Sequence, residues 1–334
     1  MPGLTAPDLE RLFRPAADLG TLGLAVSGGP DSLALMLLAR QWASSGERPR
    51  LVVYSVDHGL RPEAAGEAAM VREVATRLGL AARVLRWTGD KPETGVQAAA
   101  RKARYQLMAD AMVADGAELL ATGHHLGDQA ETVLMRLAHG SGVEGLRGMD
   151  RLATVEGCRI FRPLLGVDPE DLGAVVDEAG LVPASDPSNR DRHYERARWR
   201  ELRPALDELG LDMRRLGMFA TRMADADALI AAETEKAWTV LVHVSADGAE
   251  LPHAGLATLP RAVAVRLLGR VLRVVGDDRR AHGLGAVESL HERLLERTPL
   301  RPATLHGCVI ASDGLTVSVR REGARRIASL LTAD

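Results

Sequence analysis

The chain has 334 residues, of which 46% are apolar and 26% charged, with a formal net charge of −3. That length suffices for two domains with sizeable cores, and the near-balanced charge excludes a protein that grips nucleic acid through an all-over basic field. Aromatic residues make up only 3%, so the core must rest on Leu, Val and Ala. Cys158 and Cys308 are far apart and form no Cys-x-x-Cys motif, which leaves them as buried thiols of a reducing compartment. No apolar run reaches about 18 residues, and the first residues, MPGLTAPDLERLFRP, carry acids where a signal peptide has basic then apolar residues. A cytoplasmic location without a membrane partner is expected.

In chain order, Leu22–Val26 predicts a buried strand, Ser27-Gly28-Gly29-Pro30-Asp31-Ser32 a tight turn, and Leu33–Ala39 a helix. A glycine turn entering a helix presents backbone N–H groups to an anion. Gly28 and Gly29 let the backbone approach a phosphate, Pro30 suits the first helical turn, and Asp31 can hold a divalent cation that bridges phosphates. The same residues also read as a plain strand-to-helix turn capped by Ser27. A second strand, Leu51–Val56, ends at Asp57-His58; a helix runs from Glu63 to Leu78; Ala82–Trp87 is a third strand. A helix from Val96 to Ala114 precedes a fourth strand, Glu118–Thr122. Strands alternating with helices predict a parallel sheet with helices on both faces, its ligands beyond the carboxyl ends of the strands.

Ser27, Asp57 and His124 each follow a strand at that rim. Asp57 can hydrogen-bond an adenine amine or a ribose hydroxyl, or simply hold a turn. Gln97, Arg101 and Arg104 share a helix face, where two guanidiniums can neutralise phosphate or be solvated. In Gly123–Thr132, Asp128 reads as an N-cap with Glu131 three residues on, or as a carboxylate pair for a cationic amine or magnesium. Residues 186–204 then break the pattern. Six arginines between 190 and 203, against Asp191, Glu195 and Glu201, read as an exposed basic arm. Helices are predicted over Met213–Leu241, Arg261–Val275 and Gly285–Arg297, with a late hairpin of Leu305–Ala311 and Leu315–Arg320 around Ser312-Asp313-Gly314.

The Ser27–Ser32 motif resembles the pyrophosphate loop of the ATP pyrophosphatases. Ser27–Ser32, Val56–Arg61, Gln97-x-x-x-Arg101-x-x-Arg104-Tyr105 and Gly123–Thr132 with Gly140-Ser141-Gly142 stand in the order and spacing of the tRNA(Ile)-lysidine synthetase family. Phe161–Leu165, Asp186–Asp191 and Arg196-x-Arg198-x-Arg200 also look like that family, so the resemblance covers about residues 20–205. Where the family usually has two consecutive aspartates, this chain has Gly127-Asp128. The resemblance implies an adenine nucleotide α-hydrolase-like α/β domain over residues 1–212, then a linker helix and a smaller mixed, mostly helical tRNA-binding domain over 213–334.

It also implies a chemistry. ATP adenylates the C2 oxygen of the wobble cytidine of a tRNA(Ile) with anticodon CAU, and L-lysine then displaces AMP to give lysidine. In that frame Ser27, Gly28, Gly29, Pro30 and Ser32 cradle pyrophosphate, Asp31 places Mg2+, and Asp57, Arg101 and Arg104 complete the ATP site. Asp128 and Glu131 receive lysine, His124 positions the base, and Arg196, Arg198 and Arg200 contact tRNA phosphates, in a chain that can form a homodimer. Another pyrophosphate-loop enzyme, such as a tRNA thiolase or a GMP or NAD synthetase-like amidating ligase, and an inactive RNA-binding module on the same fold are the alternatives.

Overall fold

The structure, a computed structural model, describes residues 4–89, 91–184, 195–276, 283–296 and 299–323. In chain order the elements are α1 (Ala6–Phe13), β1 (Thr21–Ala25), α2 (Pro30–Ala43), β2 (Arg50–Asp57), α3 (Glu63–Arg77), β3 (Ala81–Arg86), α4 (Val96–Asp115), β4 (Leu119–Thr122), α5 (Leu126–Ala138), α6 (Val143–Leu146), β5 (Leu152–Val155), β6 (Cys158–Phe161), α7 (Pro169–Glu178) and α8 (Glu195–Glu208). They continue with α9 (Met213–Leu241), β7 (His243–Ser245), β8 (Gly248–Pro252), α10 (His253–Thr258), α11 (Arg261–Val275), α12 (Leu284–Glu296), β9 (Leu300–Leu305), β10 (Cys308–Ser312) and β11 (Thr316–Arg321). Two compact units result: residues 1–136 with 147–220, and residues 137–146 with 221–334. The division falls inside α9, because Leu216 and Ala220 of its first turns pack on Ala130, Val133 and Leu134 of α5.

The first unit is built on a six-stranded sheet in the order β3-β2-β1-β4-β6-β5, parallel except for β5. Strands β1, β2 and β4 are apolar on both faces, as a sheet covered on both sides requires. Leu22, Leu24, Leu33, Met36, Phe161 and Leu172 form the core on the face of α1, α2 and α7, where Phe13 stacks on Trp42 with ring centroids 5.0 Å apart. Tyr54, Tyr105, Met108, Leu120 and Ile160 form it on the face of α4. The chain runs outward from β1 through β2 to β3, then returns across the sheet to β4 on the other side of β1. That reversal opens a crevice beyond the carboxyl ends of β1 and β4, the place where such sheets bind ligands.

The second unit holds a five-stranded antiparallel sheet, β7-β8-β11-β10-β9. Leu251, Ile310, Val317 and Val319 pack from it against Leu267, Leu268 and Val271 of α11 and Leu290 and Leu294 of α12.

Several expectations change. The late hairpin is β10 with β11, and Leu305 closes the preceding strand β9; His306 (φ 54°) and Gly307 (φ 68°) make a turn where the sequence reads as continuous strand. The hairpin β5–β6 turns on Glu156 (φ 48°) and Gly157 (φ 80°), a left-handed pair that suits a two-residue loop. Helix α7 has no counterpart among the predicted elements, although Asp168 caps it by accepting the Glu170 N–H at 3.1 Å and Pro169 opens it. Residues 195–204 of the expected basic arm lie in helix α8, while Asp186–Asp191, with Arg190, and Arg192 lie outside the described residues.

Candidate active site

The loop after β1 is held in a cradle shape by its own serines. Ser32 Oγ donates to the Gly29 carbonyl at 2.9 Å and accepts the Ser27 N–H at 3.2 Å, so the turn folds back over the first turn of α2. Gly28 sits at φ +92°, a conformation that an L side chain strains to adopt. Gly29 is the N-cap of α2 and Pro30 its first residue. The first N–H groups of a helix have no acceptor within it, which suits this end of α2 to an anion.

The loop after β4 closes the other side. A Cβ on Gly123 would stand 2.8 Å from the Asp31 carbonyl oxygen and 3.1 Å from Ser32 N, so only glycine lets the two loops touch. Thr122 Oγ1 lies 2.8 Å from His124 Nδ1 and fixes that ring. Burial pushes the His124 pKa down to about 4; Asp128 opposes that shift, and the guanidiniums of Arg162, Arg196 and Arg101 add to it. His124 is therefore a neutral imidazole among cations at physiological pH.

Helix α5 begins at Leu126, so Asp128 is not the N-cap; it lies in the first turn, and its Oδ2 accepts the His125 N–H at 3.1 Å. His125 does the capping instead, its Nδ1 accepting the Gly127 N–H at 3.0 Å. With Nδ1 occupied, the proton of the neutral ring sits on Nε2, which stands 3.6 Å from Asp31 Oδ2 and 3.6 Å from Asp128 Oδ2. Burial opposes a charge on this ring, but Asp31, Asp128 and Glu131 outweigh it and raise its pKa.

Glu131 is buried and holds Arg200 through both oxygens, at 2.6 Å to Nε and 3.2 Å to Nη2; Arg200 also stands 3.7 Å from Asp128 Oδ1. Helix α8 thus turns Arg200 onto the carboxylate pair, with Arg196 one turn away on the same face and Arg198 off it. Arg101 and Arg104 lie over one ring, Tyr105, at 5.0 and 5.5 Å, as exposed cations. Asp57 is buried and engaged locally, accepting the Gly59 N–H at 3.0 Å and Arg86 Nε at 3.1 Å.

The structure therefore joins Ser27, Ser32, Asp31, Asp128, Glu131 and Arg200 into one rim, with His124 beside it. Two further residues at this rim have no role assigned from sequence. His125 reads there only as part of a motif, since histidine is not among the usual N-caps. Arg162 is 5% exposed, donates Nη1 to the Asp150 carbonyl at 2.6 Å, and leaves Nε without a hydrogen-bond partner. Its one signal in the sequence is an arginine wedged between an apolar strand and Pro163. Both thiols are buried, and burial pushes their pKa values up. Among the described residues, no helix is long and apolar enough to cross a membrane.

Residues 5–206 match the PP-loop domain family. That family is an ATP-binding one, and the glycine turn after β1 lies at the reversal point of this parallel sheet. A tRNA(Ile)-lysidine synthase of Rhodopseudomonas palustris is 44% identical over 324 residues, 93% of each chain. Another from Bradyrhizobium sp. is 44% identical over 301 residues, 87% of this chain and 84% of its own. One from Wolbachia pipientis wMel is 32% identical over 325 residues, 95% of this chain and 75% of its own. The chain belongs to the tRNA(Ile)-lysidine synthase family and is a ligase. Among solved structures, a U34-tRNA thiolase of Methanococcus maripaludis superposes with a TM-score of 0.55 at 16% identity, over 66% of this chain and 78% of its own, which is a likeness of fold.

Proposed function

We propose that this chain joins L-lysine to C2 of the wobble cytidine of a tRNA(Ile) with anticodon CAU, at the expense of ATP. In the first step the cytidine O2 attacks the α-phosphorus and pyrophosphate leaves. In the second the lysine amine attacks C2, the C2–O2 bond breaks, and AMP departs with that oxygen. A pyrimidine carbonyl oxygen leaves poorly and AMP leaves well, so two steps replace one that is harder. Relatives of that name support the reading along nearly the whole chain.

The observation that carries it is the single histidine's width between the phosphate cradle and the carboxylate pair: His125 Nε2 is equidistant from Asp31 and Asp128. A nucleotide gripped by Ser27–Ser32 and an amine held at Asp128 then meet over one point on the rim. In this proposal the loop N–H groups take the departing pyrophosphate, and Arg101 and Arg104 offset phosphate charge. Asp128 receives lysine's cationic amine, Glu131 holds Arg200, and His124 faces the base. Arg196 and Arg198 meet tRNA phosphates, which position the RNA without reading its sequence.

Among the described residues, no three His, Cys, Asp or Glu side chains come together to hold a metal unaided. That donor set fits Mg2+, which uses one or two carboxylates and completes its shell with phosphate oxygens and water. Asp31, 41% exposed at the mouth of the cradle, would hold it. When bound, Mg2+ offsets negative charge on the phosphates.

The test is a product assay with ATP, the CAU-anticodon tRNA(Ile) and lysine, each omitted in turn. AMP is expected only when all three are present. ADP as product, or AMP made without tRNA, overturns the proposal.

A further inference from the structure

We propose that Gly127 is what allows His125 to serve as the positioning residue that ties the phosphate cradle to Asp128. This inference rests on the function proposed above and goes beyond it, because it concerns the one place where the chain departs from two consecutive aspartates. A Cβ built on Gly127 would lie 2.8 Å from His125 Cε1, 3.0 Å from His125 Nδ1 and 3.2 Å from Met213 Sδ. The Met213 contact is with the end of a flexible side chain and can give. The ring cannot give without losing its bond to the Gly127 N–H, since that bond is what lays it flat over the start of α5. Any side chain at 127 therefore lifts the imidazole off the helix end.

The ring is 8% exposed and fixed at three points. Nδ1 accepts from the Gly127 N–H, His125's own backbone N–H donates to Asp128 Oδ2, and Nε2 faces Asp31 and Asp128. At 3.6 Å from both carboxylates, Nε2 stands within ion-pair reach of each. His125 touches no reacting atom. It holds Asp31 and Asp128 at one spacing, so the carboxylate that receives lysine's amine keeps its register with the nucleotide. In a chain with a side chain at 127 that spacing must be set in another way; here the glycine hands the task to the imidazole.

Two substitutions at 125 separate capping from positioning. In His125→Asn the side-chain oxygen takes the place of Nδ1 and keeps the helix cap, but nothing reaches the two carboxylates. In His125→Gln the amide reaches the place of Nε2 and can donate there. With the full chain, ATP, tRNA and lysine, His125→Asn should keep its thermal midpoint and lose about tenfold in kcat/KM for lysine, the scale of a hydrogen bond to a charged group; His125→Gln should recover most of that loss. Gly127→Ala should lower the midpoint by roughly 2–4 °C in the wild-type background and by almost nothing in His125→Ala, where no side chain is left for it to meet at that position.

If the wild type turns over and His125→Asn matches it, the inference falls and the parent reading stands. If the wild type makes no lysine-dependent AMP, the parent reading falls. The thermal cycle still decides the Gly127–His125 packing in that case: additive losses from Gly127→Ala and His125→Ala overturn it.

Discussion

The two units bury polar groups in different ways. In the first, Asp57, Thr122, His125, Asp128, Glu131 and Arg162 are all under a tenth exposed and all sit at or just beyond the carboxyl ends of β2, β4 and β6. Several carry strain or deficit: an arginine Nε without a partner and a carboxylate pair held against an arginine, with His124 beside them kept neutral among guanidiniums. In the second, Asp227 and Thr234 lie on α9 and settle nearby: Asp227 pairs with Arg266, and Thr234 donates to the Ile230 carbonyl at 2.7 Å; His291 of α12 is also buried, with Nδ1 lacking a hydrogen-bond partner, but it lies within a helix and not at a strand end. Buried polarity clustered at strand ends points to chemistry; buried polarity scattered along helices marks packing.

Perturbing each region should break different quantities. The largest effect is expected from Asp31→Ala, which should cut lysine-dependent AMP formation by about 10²–10³-fold, on the scale of losing one preorganised charge-stabilising group, with an unchanged circular dichroism spectrum. Next is Gly123→Ala: its Cβ meets backbone, at 2.8 Å from the Asp31 carbonyl oxygen, so it should push the loops apart and raise KM for ATP about tenfold or more. In the second unit, Asp227→Asn leaves Arg266 poorly paired and should cost about 1–3 kcal/mol of stability, read by urea denaturation. Its turnover per folded molecule should stay that of the wild type; a loss of kcat there would erase the contrast between the units.

Smaller effects sharpen the picture of the rim. Arg196→Ala and Arg198→Ala should each weaken tRNA binding severalfold and lower the salt slope by about one for each phosphate no longer neutralised; unchanged slopes would make α8 purely structural. A separate effect is in pH dependence. The His124 pKa lies near 4 in the folded chain against an ordinary 6.5. Between those values the unfolded chain binds the proton and the folded chain does not, so this residue's contribution is complete above pH 6.5 and is lost as pH falls toward 4. His124→Asn should flatten the stability curve in that window.

Much of the first unit is legible in the sequence because its signals are local. The apolar run Leu22–Val26, the glycine turn and Pro30 at the head of a helix describe β1, the cradle and α2 within a residue or two, and the long helix over Met213–Leu241 coincides with α9. What is not legible depends on partners distant in sequence or on unusual residues in special roles. No pattern rule makes His125 an N-cap, so sequence alone assigns the start of α5 to Asp128. Arg200 reads as an outward cation because its partner Glu131 lies 69 residues earlier. Glu156 at φ 48° and His306 at φ 54° turn the chain where a glycine, asparagine or aspartate is the usual sign.

Strand β3 has a consequence for how the molecule behaves in concentrated solution. It lies at the outer margin of the parallel sheet, mostly open to solvent, and an open margin is a template on which a foreign strand can anneal. Arg83 and Arg86 stud that margin with cations, which makes such annealing costly and favours solubility. Arg86 also grips Asp57 at the strand-end rim. One guanidinium thus guards against aggregation and steadies a carboxylate at the end of β2, so neutralising it should harm colloidal behaviour and local order at once.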